Sequence, residues 1–235
     1  MPAELTIVIP ARNESQSLPR LLTCLNRQDY PRLPDTRVFV ADANSTDGTA
    51  EIARTFPAKF PVEVIPGGLP AVGRNQGAHR AATPYVLFLD ADVELPDPTL
   101  LRRAVAAMRE RQLHCVTTNV GCIDGRVSDR LLYGANNFVQ RASRWFAPFA
   151  TGMFMLFDRQ KFEWLGGFNE QALYAEDYLL SKQIDCSRFA VIPGTVLTSN
   201  RRFQKMGRLQ IARMFLNTAL HSGDPEYFLR DQGYW

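Results

Sequence analysis

Short apolar runs alternate with segments of helical periodicity over the first half of the chain, and this alternation constrains the fold more than any other feature. Four runs rich in Val, Ile, Leu and Phe are predicted to be strands: residues 5–10, 37–41, 62–65 and 85–89. Helical patterns follow the first three of these runs. Strands that alternate with helices build a parallel sheet covered by helices, so the sequence predicts an α/β fold.

Polar residues predict where several helices begin. Asn13 is predicted to cap the first helix, and Asp97 to cap a helix that has Pro98 in its first position. Asp158 is predicted to cap a further short helix. The other elements predicted in the second half are strands at residues 115–120, 189–192 and 196–198 and helices at residues 126–145, 176–184 and 203–221.

The composition is that of a globular protein. Of 235 residues, 46% are hydrophobic and 22% are charged, which supplies a core and excludes a disordered chain. The net charge of +3 is too small to indicate a nucleic-acid partner. The apolar runs are too short to span a bilayer, and nothing at the amino terminus resembles a secretion signal. We therefore expect a cytoplasmic protein with at most peripheral membrane contact.

Four cysteines, at positions 24, 115, 122 and 186, lack the spacing of a zinc site. We expect them to be reduced thiols, mostly buried. The remaining candidates for chemistry are therefore carboxylates and cations near the predicted strand ends.

Two carboxylates, Asp90 and Asp92, follow the most apolar of the predicted strands. Open α/β sheets bind their ligands at the carboxyl ends of strands. Carboxylates two residues apart on extended chain can converge on a divalent cation, while water and ligand phosphates complete its coordination. The alternative interpretation is a turn with two solvated acids.

Four further polar segments are predicted near the same edge of the sheet. They are Pro10-Ala11-Arg12-Asn13-Glu14, the segment from Asp42 to Thr49, Gly73-Arg74-Asn75-Gln76-Gly77-Ala78, and Tyr174-Ala175-Glu176-Asp177-Tyr178. Taken singly, Asp42 and Asp47 could cap a helix and Arg74 could be a solvated cation. Taken in order, the segments favour one binding site.

In this order the motifs resemble those of family 2 glycosyltransferases of the GT-A fold, from Leu5 to about Arg202. The resemblance implies one domain, residues 1–235, with a mostly parallel nucleotide-binding sheet flanked by helices. Residues 1–95 would bind the nucleotide, and residues 96–235 would supply the catalytic base and the acceptor site. The implied reaction transfers a sugar, with inversion, from a nucleoside diphosphate to an acceptor hydroxyl, assisted by Mn²⁺ or Mg²⁺. Whether a lipid or a saccharide carries that hydroxyl stays open.

The resemblance also implies residue roles. The implied contacts to the nucleotide sugar are Pro10, Ala11, Arg12, Glu14, Asp42, Arg74, Asn75, Asp90 and Ala91. The implied acceptor-side residues are Gly152, Gly167, Phe168 and Glu176. Asp92 corresponds to the metal ligand, and Asp177 to the general base that takes the proton of the acceptor hydroxyl. A single base fits direct displacement with inversion.

The chain departs from the family pattern after residue 200, where Arg201-Arg202-Phe203-Gln204-Lys205 stands without the Trp of a Q-x-x-R-W signature. The predicted helix that follows is basic on one side and apolar on the other. It is interpreted either as a peripheral membrane contact near residues 201–221 or as a core helix with a basic outer face. Trp145, Phe146, Phe149 and Trp164 are similarly open, as a sugar-stacking wall or as core.

Three alternative functions stay open at this point. An apolar strand followed by Asp90-Ala91-Asp92 also resembles the haloacid dehalogenase-like phosphatases, with Asp90 as nucleophile. The downstream G-D-x-x-x-D motif of that family is incomplete, because Gly223-Asp224 is followed by Phe228 where the second acid would be. The others are a nucleotidyltransferase and a sugar-nucleotide-binding protein that has lost catalysis.

Overall fold

A twisted sheet of eight strands runs through the computed structural model, which describes residues 3–230 apart from the side chains at positions 202, 203, 205, 208, 212, 215, 219 and 225. The strands are β1 (Leu5–Ala11), β2 (Arg37–Asp42), β3 (Val62–Pro66), β4 (Tyr85–Phe88), β5 (Val93–Glu94), β6 (Cys115–Cys122), β7 (Met155–Asp158) and β8 (Phe189–Thr198). Their order across the sheet is β3-β2-β1-β4-β7-β6-β8-β5.

Helices connect most of these strands. They are α1 (Leu18–Asn26), α2 (Thr49–Thr55), α3 (Pro70–Arg80), α4 (Leu100–Arg111), α5 (Val127–Ser143), α6 (Arg159–Trp164), α7 (Glu176–Ser181), α8 (Arg201–Met206) and α9 (Arg208–Leu220). Among the described residues, no helix combines the length and hydrophobicity that a membrane span requires.

The sheet changes from parallel to antiparallel pairing beside β4. The strands β3, β2, β1 and β4 pair in parallel, whereas β7 is antiparallel to both β4 and β6. The parallel strands all end at one edge, and Asp90 and Asp92 follow β4 at this edge. The prediction of a mostly parallel sheet flanked by helices is confirmed.

Side chains that alternate along β1 and β4 fill two apolar layers, one on each face of the sheet. Ile7 and Leu87 belong to one layer, and Val8 and Phe88 belong to the other. Phe88 packs edge-on against Phe168, with their ring centroids 5.0 Å apart. Because both faces are covered, polar side chains collect at the strand ends.

The starts of two helices differ from the predictions. Asn13 has a φ of +55° and does not cap α1; its Oδ1 instead accepts a hydrogen bond from the Thr46 N–H. The helix α4 begins at Leu100, two residues after Pro98, although Asp97 still accepts the Thr99 N–H at 2.8 Å. Both predictions assigned the polar side chain to the first turn of a helix. The side chain of Asn13 instead contacts another loop, and that of Asp97 stabilises the turn before α4.

Other predictions in the second half need correction. Residues 189–198 form one strand instead of the two predicted. This strand pairs in parallel with β6, with a bulge at Thr118/Asn119. The helix predicted at residues 203–221 is divided at Gly207, whose φ of +80° ends α8. Asp158 caps α6 as predicted, through the Lys161 N–H at 2.9 Å. The four cysteines are free, but only Cys115 is buried.

Candidate functional site

The loops after β1 and β2 are joined by hydrogen bonds that fix the first wall of the site. The backbone N–H groups of Asn13, Glu14 and Ser15 donate to side chains of the segment after β2: Ser45 Oγ, Thr49 Oγ1 and Asp47 Oδ2, respectively, at 2.8–2.9 Å. Three consecutive N–H groups are thereby satisfied by side chains from another loop. The polar residues that follow these two strands therefore form one structural unit.

Asp42, which the resemblance assigns to the nucleotide sugar, lies at the end of β2. Its Oδ2 accepts the Ser45 N–H at 3.1 Å, while its buried Oδ1 has no hydrogen-bond partner within the described residues. A buried acceptor without a partner costs free energy unless a ligand satisfies it. Arg12, on the neighbouring loop, is exposed.

Arg74 lies at the centre of the site, with 3% of its side chain exposed. Nη2 donates to Asp90 Oδ1 and Nη1 to Glu176 Oε1, both at 2.6 Å. Burial acts to lower the pKa of Arg74, but the two carboxylates outweigh it and hold the pKa above its usual value. Arg74 thus joins the residue after β4 to the start of α7, across 102 residues of sequence.

Asn75 holds the turn after α6. Its Nδ2 donates to the Phe168 carbonyl and to Glu170 Oε1, and its Oδ1 accepts the Phe168 N–H, each at 2.9 Å. The Phe168 ring is 2% exposed and lies 5.2 Å from the Arg74 guanidinium carbon. Gly167 and Phe168 therefore build the floor of the site, and the Phe168 ring does not face an open acceptor side.

Asp177 is held by two backbone groups. Its Oδ2 accepts the Gly152 N–H and its Oδ1 the Tyr178 N–H, both at 2.8 Å. Burial, helped by the charge of Glu176, raises the pKa of Asp177 to about 6, against the opposing effects of Arg74 and these hydrogen bonds. A carboxylate with such a pKa is poised to accept a proton near neutral pH.

Gly152 occupies a position where a side chain does not fit. A Cβ atom there would lie 2.4 Å from Arg74 Nη2. Because the guanidinium is fixed by two carboxylates, it cannot withdraw without breaking an ion pair. Gly152 therefore allows the backbone to approach Arg74 and present its N–H to Asp177.

Asp92 lies in a second, more open cluster. Arg201 Nη2 donates to Glu14 Oε1 at 2.6 Å and to Asp92 Oδ2 at 3.4 Å. The hydroxyls of Thr198 and Ser199 also reach Asp92 Oδ2, at 3.2 and 3.4 Å. Arg201, which begins the segment that lacks the Trp signature, therefore faces the predicted metal ligand.

The donor set around Asp92 fits a hard divalent cation, since it consists of carboxylate and hydroxyl oxygens. Within the described residues, no three Asp, Glu, His or Cys side chains form a metal-binding group. Asp92 therefore offers a partial ligand set, of the kind that a diphosphate and water complete for Mg²⁺.

The structure brings most of the predicted residues together, but with different roles. Ala11 and Ala91 are 5% and 4% exposed, so their side chains offer little surface to a ligand, whereas Pro10, also in β1, is half-buried. Thr198 and Ser199 were missed because isolated Thr and Ser residues carry no sequence signal. Trp145, Phe146 and Trp164 are exposed, so the core interpretation is wrong for these three.

The fold is similar to solved glycosyltransferases. A mannosyltransferase of Pyrobaculum calidifontis, PcManGT in complex with GDP-Man and Mn²⁺, matches with a TM-score of 0.71 and 23% identity, over 94% of this chain and 65% of that chain. TarS of Staphylococcus aureus in complex with UDP-GlcNAc matches with a TM-score of 0.67 and 20% identity, over 83% of this chain and 58% of that chain. The fold is thus of the GT-A type.

Sequence relatives agree with the fold. The chain is 34% identical over 113 residues to 4,4'-diaponeurosporenoate glycosyltransferase of Staphylococcus haemolyticus, a match over 46% of this chain that spans 29% of the relative's length. The model of glycosyl transferase family 2 matches residues 6–166. Because this match covers more than half of the chain and includes the strand ends that build the site, the protein belongs to glycosyl transferase family 2.

Proposed function

We propose that the protein transfers a sugar from a nucleoside diphosphate to an acceptor hydroxyl, with inversion and with Asp177 as the general base. The observation that carries this proposal is Asp177 itself: a carboxylate fixed by the Gly152 N–H, with its pKa raised to about 6, beside the Arg74 cluster. In the reaction, Asp177 accepts the hydroxyl proton as the oxygen attacks the anomeric carbon. The bond to the diphosphate breaks, and its electron pair leaves with the nucleotide.

Asp42 and Arg12 are proposed to bind the donor. The unpartnered Asp42 Oδ1 would accept a hydrogen bond from the nucleotide base, and the exposed Arg12 would contact its phosphates. Pro10, Ala11 and Ala91 would line this pocket with their backbones. Arg74 and Asn75 would act by positioning, since Arg74 is bonded to Asp90 and Glu176 and Asn75 to Phe168 and Glu170. Glu14 would act through Arg201.

Asp92 would hold Mn²⁺ or Mg²⁺, aided by neighbouring hydroxyls. When bound, the cation supplies positive charge to the diphosphate as it departs. PcManGT was solved with GDP-Man and Mn²⁺, and TarS with UDP-GlcNAc, so both guanine and uracil donors deserve testing here.

The two halves of the chain are proposed to divide the work within one domain. Residues 1–95 bind the nucleotide, and residues 96–235 supply Asp177 and the acceptor side, where Gly152, Gly167 and Glu176 support the base.

We further propose a cytoplasmic protein with a peripheral membrane contact near residues 201–221. In α9, Leu209, Leu216 and Leu220 are 60–88% exposed at helical spacing, which supports this contact.

The decisive experiment combines donor binding with turnover. Calorimetry with UDP- and GDP-sugars, with and without Mn²⁺ or Mg²⁺, identifies the donor, and slow hydrolysis of that donor measures activity without a known acceptor. Asp177→Asn is expected to lower turnover by about 10²- to 10⁴-fold while donor affinity stays close to wild type. Asp35→Asn is the matched control, because Asp35 is exposed and precedes β2, whereas Asp42 lies at the other end of that strand.

Other outcomes would reject specific parts of the proposal. Normal turnover by Asp177→Asn would remove the base assignment. Metal-dependent donor binding without transfer to water or to any acceptor in a panel would favour a binding protein that lacks catalysis. Phosphatase activity that Asp90→Asn abolishes, without nucleotide affinity, would restore the phosphatase alternative, which the family assignment otherwise replaces.

A further inference from the structure

The outer face of α5 and the turn that follows it carry a row of large apolar side chains. Val127, Leu131, Phe138 and Trp145 succeed one another at spacings of four, seven and seven residues, and each is 69–74% exposed. Val139 and Phe146, beside them, are 52% and 73% exposed. These six residues form what we call the α5 stripe. A contiguous exposed apolar surface marks an interaction site, whereas single exposed residues do not.

Most of the charges around the α5 stripe are positive, although Asp124 is exposed in the turn before α5. Arg126, Arg130, Arg141 and Arg144 are exposed along residues 126–146. The one acid in this range, Asp129, is 0% exposed, and its Oδ2 accepts the Arg126 N–H at 2.9 Å. With Asp124 included, the surface presents four cations and one anion, an excess of positive charge that complements a negatively charged partner.

The same charges disfavour a second copy of this chain as the occupant. A symmetric pair of α5 stripes would bring arginines of both copies together, and like charges at an interface cost free energy. An anionic bilayer accommodates both parts of the surface, because lipid phosphates pair with arginine and the interface favours Trp and Phe. Arg144 already lies 4.6 Å from the Trp145 ring, so cation and aromatic form one unit.

Both ends of α5 lie beside the proposed site. Asn200 Nδ2 donates to the Asp124 carbonyl at 3.2 Å, which places the start of α8 against the turn before α5. After α5, the Phe149 ring lies 6.0 Å from the ring of Tyr178, the neighbour of Asp177. A partner on the α5 stripe would therefore sit near the elements that carry Arg201 and Asp177.

We propose that the α5 stripe docks the protein on an anionic lipid bilayer. The apolar side chains enter the interface, and the four arginines contact lipid phosphates. The helix lies in the plane of the membrane, with buried Asp129, Asn136 and Gln140 facing the protein. This surface is separate from residues 201–221 and does not depend on the proposed sugar transfer.

Vesicle co-sedimentation tests the proposal, with phosphatidylcholine vesicles that contain or lack phosphatidylglycerol. The wild-type chain is expected to bind only the anionic vesicles, and less at high salt. The triple variant Leu131→Ser, Phe138→Ser, Trp145→Ser is expected to lose about tenfold or more in partitioning. Replacing Arg126, Arg130, Arg141 and Arg144 by Gln is expected to lower partitioning by about fivefold for each arginine that faces lipid, and by several hundredfold if all four do.

Matched controls separate the α5 stripe from general surface effects. Trp164→Ser removes an aromatic side chain that is 78% exposed on α6, and the Gln variants of Arg27, Arg54, Arg80 and Arg111 remove four exposed cations elsewhere. Both controls are expected to bind vesicles as the wild type does. Thermal unfolding confirms that every variant is folded.

Three results would overturn the proposal. Unchanged vesicle binding by the triple variant would move the contact to residues 201–221. Equal binding to neutral and anionic vesicles would contradict the role of the arginines. Absence of vesicle binding, together with a dimer by light scattering that the triple variant converts to monomer, would assign the α5 stripe to a second copy. None of these results bears on Asp177→Asn turnover.

Discussion

The site contains two arginines, each held between two carboxylates, and they differ mainly in burial. Arg74 lies between Asp90 and Glu176 with 3% of its side chain exposed. Arg201 lies between Glu14 and Asp92 with 54% of its side chain exposed. Since solvent screens the second cluster, the same arrangement of charges has different consequences in the two places.

The two clusters are expected to respond differently to the loss of their arginine. Removal of Arg74 would leave two carboxylates in a site with little water, which is costly. Removal of Arg201 leaves Glu14 and Asp92 able to recruit water or a cation. In this chain, Arg74 therefore keeps Asp90 and Glu176 in place, whereas Glu14 and Asp92 can exchange Arg201 for solvent.

The largest expected effect follows from the loss of Arg74. Arg74→Gln is expected to lower the free energy of unfolding by about 3–5 kcal/mol, because Asp90 and Glu176 lose their shared partner. Arg201→Gln, the matched variant in the open cluster, is expected to lower it by less than about 1 kcal/mol. Urea denaturation at neutral pH measures both. Equal losses would contradict the distinction between the two clusters.

A smaller effect is expected when the space beside Arg74 is filled. Gly152→Ala would bring Cβ to 2.4 Å from Nη2, and we expect a loss of about 1–3 kcal/mol in the free energy of unfolding. Gly134→Ala is the control, because nothing lies within 4 Å of its Cβ position in α5. That variant is expected to stabilise the protein by about 0.5–1 kcal/mol. If Gly152→Ala left the free energy of unfolding unchanged, the Arg74 guanidinium would be able to move away from the new Cβ.

The raised pKa of Asp177, about 6, predicts a pH dependence of stability. An acid whose pKa is higher in the folded than in the unfolded state binds more protons when folded, so its ionisation lowers stability as pH rises. Asp177→Asn removes this ionisation. The free energy of unfolding of the variant, minus that of the wild type, is therefore expected to increase by about 1 kcal/mol from pH 5 to pH 7.5. The opposite trend in denaturation curves at the two pH values would contradict the raised pKa.

The smallest effect is expected in the open cluster. If Asp92 binds the cation as proposed, Arg201 competes with it at Asp92 Oδ2. Arg201→Gln is expected to strengthen Mn²⁺ binding without nucleotide by about two- to fivefold, the range of an exposed ion pair. Calorimetric titration measures this change. Weaker Mn²⁺ binding would mean that Arg201 supports the metal site.

Local patterns predicted the strands and most of the polar residues that meet at one edge of the sheet, because their signals are short-range. The apolar runs that became β1 and β4 alternate between two buried layers, and their polar ends fall at the edge where ligands bind. The break at Gly207 and the continuous β8 were missed. Helical periodicity continues past a single glycine, and a bulge preserves pairing that turn residues would interrupt.

By itself the sequence determined the α/β alternation and the order of the motifs, from which the family follows. Only the tertiary structure decided which cation meets which carboxylate, since Arg201 lies 109 residues beyond Asp92 and Arg74 lies 102 residues before Glu176. The tertiary structure also decided that the Phe168 ring is buried beneath the site and that the α5 stripe is exposed. Periodicity records the local backbone and its burial, whereas ion pairs and exposed faces depend on how distant loops pack.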